Sequence, residues 1–411
     1  MASRRLAPHM RTDACAGFST LPSSSRSVRW HFERTVEIIE IGKKKHMDGA
    51  KSPQLPKTFE PGAFGVAFFS RGRGRGHAMP DMAIARELLQ LVPHVDIRFV
   101  SYSGGAETFR SCGYEVVDLH MPDEPPILPM IVQASRIIRH LQPQLVISHE
   151  ELAALPASQV FDIPCLFITD FFQDPNPFLT SAMECAREIV FIADRGIFTE
   201  PPFMRDTVRY VGPAIRRFDY GRADRGRARR ELGLPADATV VLCQPGGYSE
   251  SHVPMADLLV SAWNALPHPS KRLIWLAWRD CDSLRARFSD RSDILVLKED
   301  WAIDRLMVAS DLVITKGNRT TVYEAASLGV PSISISAGVN WPDDVAIARV
   351  RSNSALRARD VNAAALAQLM VERIAGGWTP DGELPKWDGV GGAARAIAGH
   401  VERIRRPGAV N

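Results

Sequence analysis

Residues 64 to 77 read Phe64-Gly65-Val66-Ala67-Phe68-Phe69-Ser70-Arg71-Gly72-Arg73-Gly74-Arg75-Gly76-His77. An apolar run of strand length passes into a glycine-rich turn, and beyond His77 the apolar residues Met82, Ala85, Leu88 and Leu89 recur at helical spacing. The stretch therefore reads as strand, loop and helix, with Pro80 and Asp81 in the helix's first turn. Gly72, Gly74 and Gly76 let backbone N–H groups approach an anion without Cβ interference, and the helix N-terminus points its positive dipole end at the same spot. The alternative is an Arg-Gly tract of the RNA-binding kind. Such tracts sit in low-complexity tails, whereas this one is bracketed by ordered patterns.

The spacing also excludes classes of protein. A dinucleotide fingerprint needs G-x-G-x-x-G and an acidic residue at the end of the second strand to hold a ribose. Here the glycines alternate strictly, and the next strand, Asp96 to Ser101, ends in Tyr102-Ser103-Gly104-Gly105 without a carboxylate. A nicotinamide enzyme is disfavoured. The chain has no G-x-x-x-x-G-K-[ST], which removes the P-loop NTPases.

At 411 residues and 45% hydrophobic content the chain can bury the cores of two domains. Its formal charge of +3 misleads, because residues 1 to 60 carry 11 Lys+Arg against 6 Asp+Glu. The remainder holds 39 basic and 41 acidic residues, so a nucleic-acid footprint is absent. No segment has the apolar length of a membrane span. The six cysteines (15, 112, 165, 185, 243 and 281) are scattered, with no C-x-x-C and no His at metal-ligand spacing. They read as buried apolar residues of a reducing, cytoplasmic compartment. Residues 1 to 46 are rich in Arg and Ser and lack a long apolar run. An untethered tail, or a start placed too early with Met47 as the true one, is expected ahead of a transit peptide.

From residue 64 onward, strands near 64–70, 96–101, 114–118, 144–148 and 164–169 alternate with helical patterns. After a polar stretch from Arg216 to Arg230 the alternation resumes, with strands at 239–243, 272–277, 293–297, 311–315 and 332–336. The fold class expected is α/β, two doubly wound Rossmann-like domains facing across a cleft. Residues 61 to 213 would form the first and 222 to 380 the second, with 1 to 60 an extension and 381 to 411 a C-terminal helix and tail. Ligands are expected where the carboxyl ends of the strands meet the cleft.

The second half has its own glycine loop, Gln244-Pro245-Gly246-Gly247-Tyr248-Ser249, directly after a strand. Further on, Asp311 to Thr315 leads into Lys316-Gly317-Asn318-Arg319-Thr320-Thr321 and a short helix, Val322 to Leu328, stopped by Gly329 and Pro331. Thr321 and Glu324 have the spacing of a capping box, so spacing alone leaves capping and ligand binding both open.

Taken together, Gly72 to His77 before a helix, Val211-Gly212-Pro213 at the junction, and Asp311 to Pro331 resemble the GT-B glycosyltransferases. The likeness is to the family typified by the bacterial N-acetylglucosaminyltransferase that completes the peptidoglycan lipid intermediate (glycosyltransferase family 28 type). It spans roughly residues 62 to 375. The resemblance implies a nucleotide-sugar donor, a UDP-sugar, held mainly on the second domain. Gly246, Gly247 and Ser249 would meet the diphosphate, with Asn318, Arg319, Thr320 and Thr321 by the phosphates at the helix N-terminus. Glu324 would accept hydrogen bonds from the ribose hydroxyls, and the segment around Trp301 would hold the base. His77 would act as general base on an acceptor, with Gly74 and Gly76 beside it; helix capping is its other reading.

Two segments depart from that family. Asn340-Trp341-Pro342-Asp343-Asp344 replaces a Gln-containing motif that reads hexose hydroxyls, so Asp343 and Asp344 become the sugar-binding candidates. His149-Glu150-Glu151 replaces a glycine-rich acceptor loop, and reads either as a helper base or as an ordinary solvated helix start. Residues 130 to 141 are amphipathic, with Met130, Ile131, Ala134, Ile137, Ile138 and Leu141 on one face and Arg136, Arg139 and His140 on the other. Packing on the sheet is expected for that face; rest on a lipid surface is the alternative.

The implied activity is inverting, metal-independent transfer of a hexose or N-acetylhexosamine to a hydroxyl or amine of a small-molecule, glycan or lipid-linked acceptor. Neither a cofactor nor a metal site is expected. A nucleotide-sugar hydrolase or epimerase, or a silent nucleotide-sugar-binding protein, would keep the donor cradle and lose the acceptor. Because residues 1 to 46 have no periodic apolar face to bury, deleting them is expected to leave soluble expression and the melting temperature unchanged. Aggregation of the shortened chain would refute this.

Overall fold

All seven residues of Phe64–Ser70 are buried, as a strand covered on both faces requires. The computed structural model describes residues 57–172, 177–245, 253–298, 302–317, 319–336 and 341–406. Phe64–Ser70 is β1 of a first sheet that also contains β2 (Val95–Ser101), β3 (Val116–Asp118), β4 (Leu145–His149), β5 (Cys165–Thr169), β6 (Glu188–Phe191) and β7 (Val208–Tyr210). Its strands are all parallel, in the order β3-β2-β1-β4-β5-β6-β7. The second sheet contains β8 (Thr239–Gln244), β9 (Lys271–Leu276), β10 (Ile294–Leu297), β11 (Leu312–Thr315), β12 (Ser332–Ser336) and β13 (Asn353–Arg357). It is also parallel, in the order β10-β9-β8-β11-β12-β13. In both sheets the strand order reverses beside the first strand, which opens a crevice between β1 and β4 and another between β8 and β11. The sequence reading missed β6, β7 and β13. They are short, and β13 (Asn353-Ser354-Ala355-Leu356-Arg357) is a largely polar strand at the sheet edge.

The helix after the glycine loop, Ala78–Leu91, buries Met82, Ala85 and Leu88 as expected. Leu89 is instead exposed, since it lies at the edge of the buried arc in the helix's last turn. Helix Ile127–Leu141 buries Met130, Ile131, Ala134, Ile137, Ile138 and Leu141 in the core of the first sheet, so that face is not available to lipid. Among the described residues no helix is long and apolar enough to cross a membrane.

The chain ends on the first sheet. Helix Gly389–Arg405 buries Val390, Ala393, Ala394, Ile397 and Val401 in the same core as Ala78–Leu91. Glycine permits the contact: a Cβ at Gly389 would overlap the Gly212 and Pro213 carbonyls, and one at Gly392 would press on Val211. His400 Nε2 meets Glu188 Oε2 at 2.5 Å beneath it. The connection between sheets is fixed from the other side, where Asp304 Oδ2 accepts from the backbone N–H groups of Asp219 (2.6 Å) and Tyr220 (2.8 Å).

The three loop glycines do different work. Gly72 is packed so closely that a Cβ would collide with the Tyr102 carbonyl and ring, and its carbonyl accepts from Gly105 N at 3.0 Å. Glycine is therefore a packing requirement at this position. Gly74 is left-handed at φ +69°, and Gly76 faces open space. Gly72→Ala is expected to lower stability by about 1–3 kcal/mol through overpacking, while Gly76→Ala changes it by less than about 0.5 kcal/mol. Urea titrations of the two variants check the difference; equal losses would contradict it.

Candidate active site

The site grows from the ends of β1, β4 and β5. Ser70 and His149 are register partners at the carboxyl ends of β1 and β4, so the loops that follow them share one crevice. His77 closes the first loop at the N-cap position of its helix, but its side chain makes no capping hydrogen bond. The ring turns instead to Glu150, with Nε2 3.0 Å from Oε2. Glu150 Oε1 accepts from Thr169 Oγ1 at 3.1 Å, and Arg71 Nη1 lies 3.6 Å from Oε2. Glu150 is left-handed at φ +53°, a conformation that costs a non-glycine residue about 1–2 kcal/mol. Such strain is retained where surrounding contacts over-determine it.

His149 and Glu151 are buried, so the solvated helix start expected as one reading of His149-Glu150-Glu151 is not what forms. His149 Nδ1 is 2.6 Å from Asp81 Oδ1, one helical turn past His77. The two imidazoles meet nearly at right angles, 4.8 Å between centroids. Asp81 carried no signal of its own in the sequence beyond a first-turn acid. Its contact with His149 spans 68 positions, which no local pattern encodes.

The second sheet contributes a guanidinium. Arg319, at the start of helix Arg319–Leu328, places Nη2 2.6 Å from Asp170 Oδ1 and donates from Nη1 to the Asp170 carbonyl at 2.8 Å. Its Nε is 3.0 Å from Asp343 Oδ1. Asp343, read as a sugar-binding candidate, is thus engaged by Arg319. Asp344 lies half-buried in the first turn of helix Trp341–Ile347, on the Gly317 side.

Electrostatics separate these groups. Burial lowers the His77 pKa and outweighs the nearby Glu150, with His149 and Arg71 pushing the same way. Burial alone would raise the Glu150 carboxyl, but the His77 hydrogen bond together with His77, His149 and Arg71 holds it well below the usual carboxylate range. Burial also opposes charge on His149, yet Asp81 overcomes it and the His149 pKa is raised. Asp170 is pushed up to about 7 by burial, with Arg319 opposing. A neutral His77 beside an ionised Glu150 must donate through Nε2–H, which leaves the lone pair on Nδ1. That Nδ1 is buried and has no hydrogen-bond partner among the described residues.

In the second sheet, Thr315 and Gln244 are register partners at the ends of β11 and β8. Thr315 Oγ1 and Gln244 Oε1 are both buried without a partner among the described residues. Neither was singled out in the sequence. Gly246, Gly247, Ser249, Trp301 and Asn318 lie outside the described residues. Thr320 is half-buried and Thr321 buried, second and third in their helix, so Thr321 is not an N-cap and the capping box does not form. Glu324 is buried and accepts from Arg216 Nε at 2.5 Å; its second oxygen has no partner among the described residues.

No protein-family model matches the chain. It is 30% identical over 216 residues to an uncharacterized glycosyltransferase of Methanopyrus kandleri, a match covering 49% of this chain and 58% of that protein. It is 22% identical over 293 residues to the UDP-N-acetylglucosamine–N-acetylmuramyl-(pentapeptide) pyrophosphoryl-undecaprenol N-acetylglucosamine transferase of Flavobacterium psychrophilum, covering 65% and 76%. Among solved structures, MurG of Acinetobacter baumannii superposes with a TM-score of 0.55 at 14% identity, covering 82% of this chain and 99% of that one. A putative UDP-N-acetylglucosamine 2-epimerase of Listeria monocytogenes gives 0.59 at 14%, covering 84% and 97%. The fold is that of the GT-B glycosyltransferases, as the sequence motifs had implied, and the chain resembles them in sequence as well.

Removing Arg216 leaves a buried carboxylate at Glu324 unpaired, which typically costs about 3–5 kcal/mol. Arg216→Ala is expected to destabilise by that order, and the Arg216→Ala/Glu324→Ala double variant by less than the sum of the single changes. Additive losses in a denaturation cycle would contradict this pairing.

Proposed function

We propose that this chain is an inverting glycosyltransferase that moves a hexose or N-acetylhexosamine from a nucleotide diphosphate sugar, a UDP-sugar, to an acceptor hydroxyl or amine. The observation that carries the reading is His77 Nδ1, a buried free lone pair on an imidazole whose other nitrogen is held by an ionised carboxylate. An acceptor O–H or N–H placed at Nδ1 loses its proton to that nitrogen as it attacks the anomeric carbon, while the anomeric C–O bond to the diphosphate breaks and the nucleoside diphosphate leaves with the bonding pair. Glu150 then stabilises the imidazolium that forms. The named sequence relatives, one a glycosyltransferase and one a UDP-N-acetylglucosamine-dependent transferase, support the donor class.

The donor's diphosphate is assigned to the crevice between β8 and β11. There the helix beginning at Arg319 presents its N-terminus, and the Thr315 hydroxyl, which has no partner among the described residues, can donate. The free oxygen of Glu324 suits a ribose hydroxyl. Positive potential from the helix N-terminus stands in for a divalent ion, so the reaction is proposed to need no metal and no other cofactor. Since nucleotide sugars are made in the cytoplasm of most cells, that location fits the donor. The acceptor is left as a small molecule, a glycan or a lipid-linked glycan.

His77→Ala is expected to lower turnover about 10²- to 10⁴-fold while donor affinity in titration calorimetry stays nearly constant. In the wild type the active form is neutral His77, whose pKa is below 6.5. Turnover should therefore hold as pH falls to that value and decline only below it, and EDTA should leave it unchanged. Product analysis with a donor panel separates transfer from release of free sugar or isomerised donor. An α-linked donor should give a β-linked product by NMR, and retention of the anomer would overturn the single-step attack.

A further inference from the structure

His77 has a neighbour that the proposed reaction does not use. We propose that Asp81 and His149 form a positioning couple for His77, holding the site's mobile proton on His149 so that His77 Nδ1 stays free to receive one from the acceptor. The inference rests on the reading of His77 as base and adds a residue pair to it.

Geometry carries the argument. Asp81 is fully buried, and its Oδ1 is 2.6 Å from His149 Nδ1. The His149 and His77 rings are nearly perpendicular, 75° between planes and 4.8 Å between centroids. Two imidazolium ions at that separation, in a site this buried, would repel strongly, so one proton between them is the stable state.

The surrounding charges decide which ring holds the proton. His149 faces Asp81 from helix Ala78–Leu91, Glu150 from the β4 loop and Asp170 from the β5 loop, all of which favour its charged form. His77 faces Glu150, opposed by His149 and by Arg71 from the β1 loop. Arg319, with Asp343 beside it, reaches the cluster from the second sheet through Asp170. Asp81 thus gives His149 an anion of its own, whereas the Glu150 bonded to His77 is already shared with Arg71.

The couple is tested by ¹⁵N NMR of the imidazoles in the full chain, together with pH–rate profiles of His149→Gln and Asp81→Asn. At pH 7 His149 should be doubly protonated and His77 a neutral Nε2–H tautomer. Either variant removes the cation near His77, so the acidic limb of the profile should move up by about one pH unit. Calorimetric donor affinity should stay within about twofold, a split that general loss of structure would not produce. A neutral His149 at pH 7, or an acidic limb unmoved in variants that melt as folded proteins, overturns the couple. If no donor is turned over at all, the transferase reading fails while the NMR assignment still decides where the proton sits.

Discussion

Arg319 is a guanidinium removed from water at the meeting of the two sheets, and it cannot shed its proton to ease the burial. Its charge must be met by anions, and they come from different places: Asp170 from the end of β5 in the first sheet, Asp343 from the helix after β12 in the second. Removing one partner of such a pair strands a buried charge at a typical cost of about 3–5 kcal/mol. The requirement fixes Asp170, and with it the ends of β4 and β5 where Glu150 and Thr169 meet. Glu150 in turn orients His77. A contact that joins the sheets therefore also aligns the imidazole, through two side chains and one hydroxyl.

What was legible in the sequence is what local chemistry encodes. The apolar run of β1, the helical stripe from Met130 to Leu141 and the glycine loop each declare their structure within a few residues. The fold follows from their alternation. Contacts between distant positions are not written that way. Arg216 meets Glu324 across 108 positions, and nothing in the spacing of Thr321 and Glu324 distinguishes an ion pair with the linker from a capping box. Asp343 looked free to bind a sugar because its partner, Arg319, lies on another element. Leu89 shows the opposite limit, since periodicity predicts a face but not where that face leaves its neighbour.

The loop glycines also carry a packing role. An alternating Gly-x-Gly-x-Gly suggests a backbone open to an anion, and Gly72 in addition packs against Tyr102 and accepts from Gly105. Close packing there brings the loop down beside helix Ser103–Ser111 and sets the approach of His77 to β4. Gly389 and Gly392 act similarly at the far side, where they let the last helix reach the Val211-Gly212-Pro213 turn. The junction motif is thus a packing surface for the chain's own C-terminal helix.

Glu150 and Glu151 are adjacent carboxyls removed from water, and their protonation differs because one backbone angle sends them into different surroundings. At Glu150 the chain turns left-handed, so consecutive side chains enter different surroundings. Glu150 finds His77, Thr169 and Arg71 and remains ionised. Glu151 turns to the Ala153 N–H and the Tyr102 hydroxyl, and burial pushes its carboxyl up to about 7. Asp170 reaches a similar value despite Arg319, because burial acts first and Glu150 and Asp343 add to it. An ordinary extended residue at 150 would present the next carboxyl to His77 in a different register. The strained turn therefore decides which acid serves the imidazole, and a glycine there would keep the turn while deleting the acid that gives it purpose.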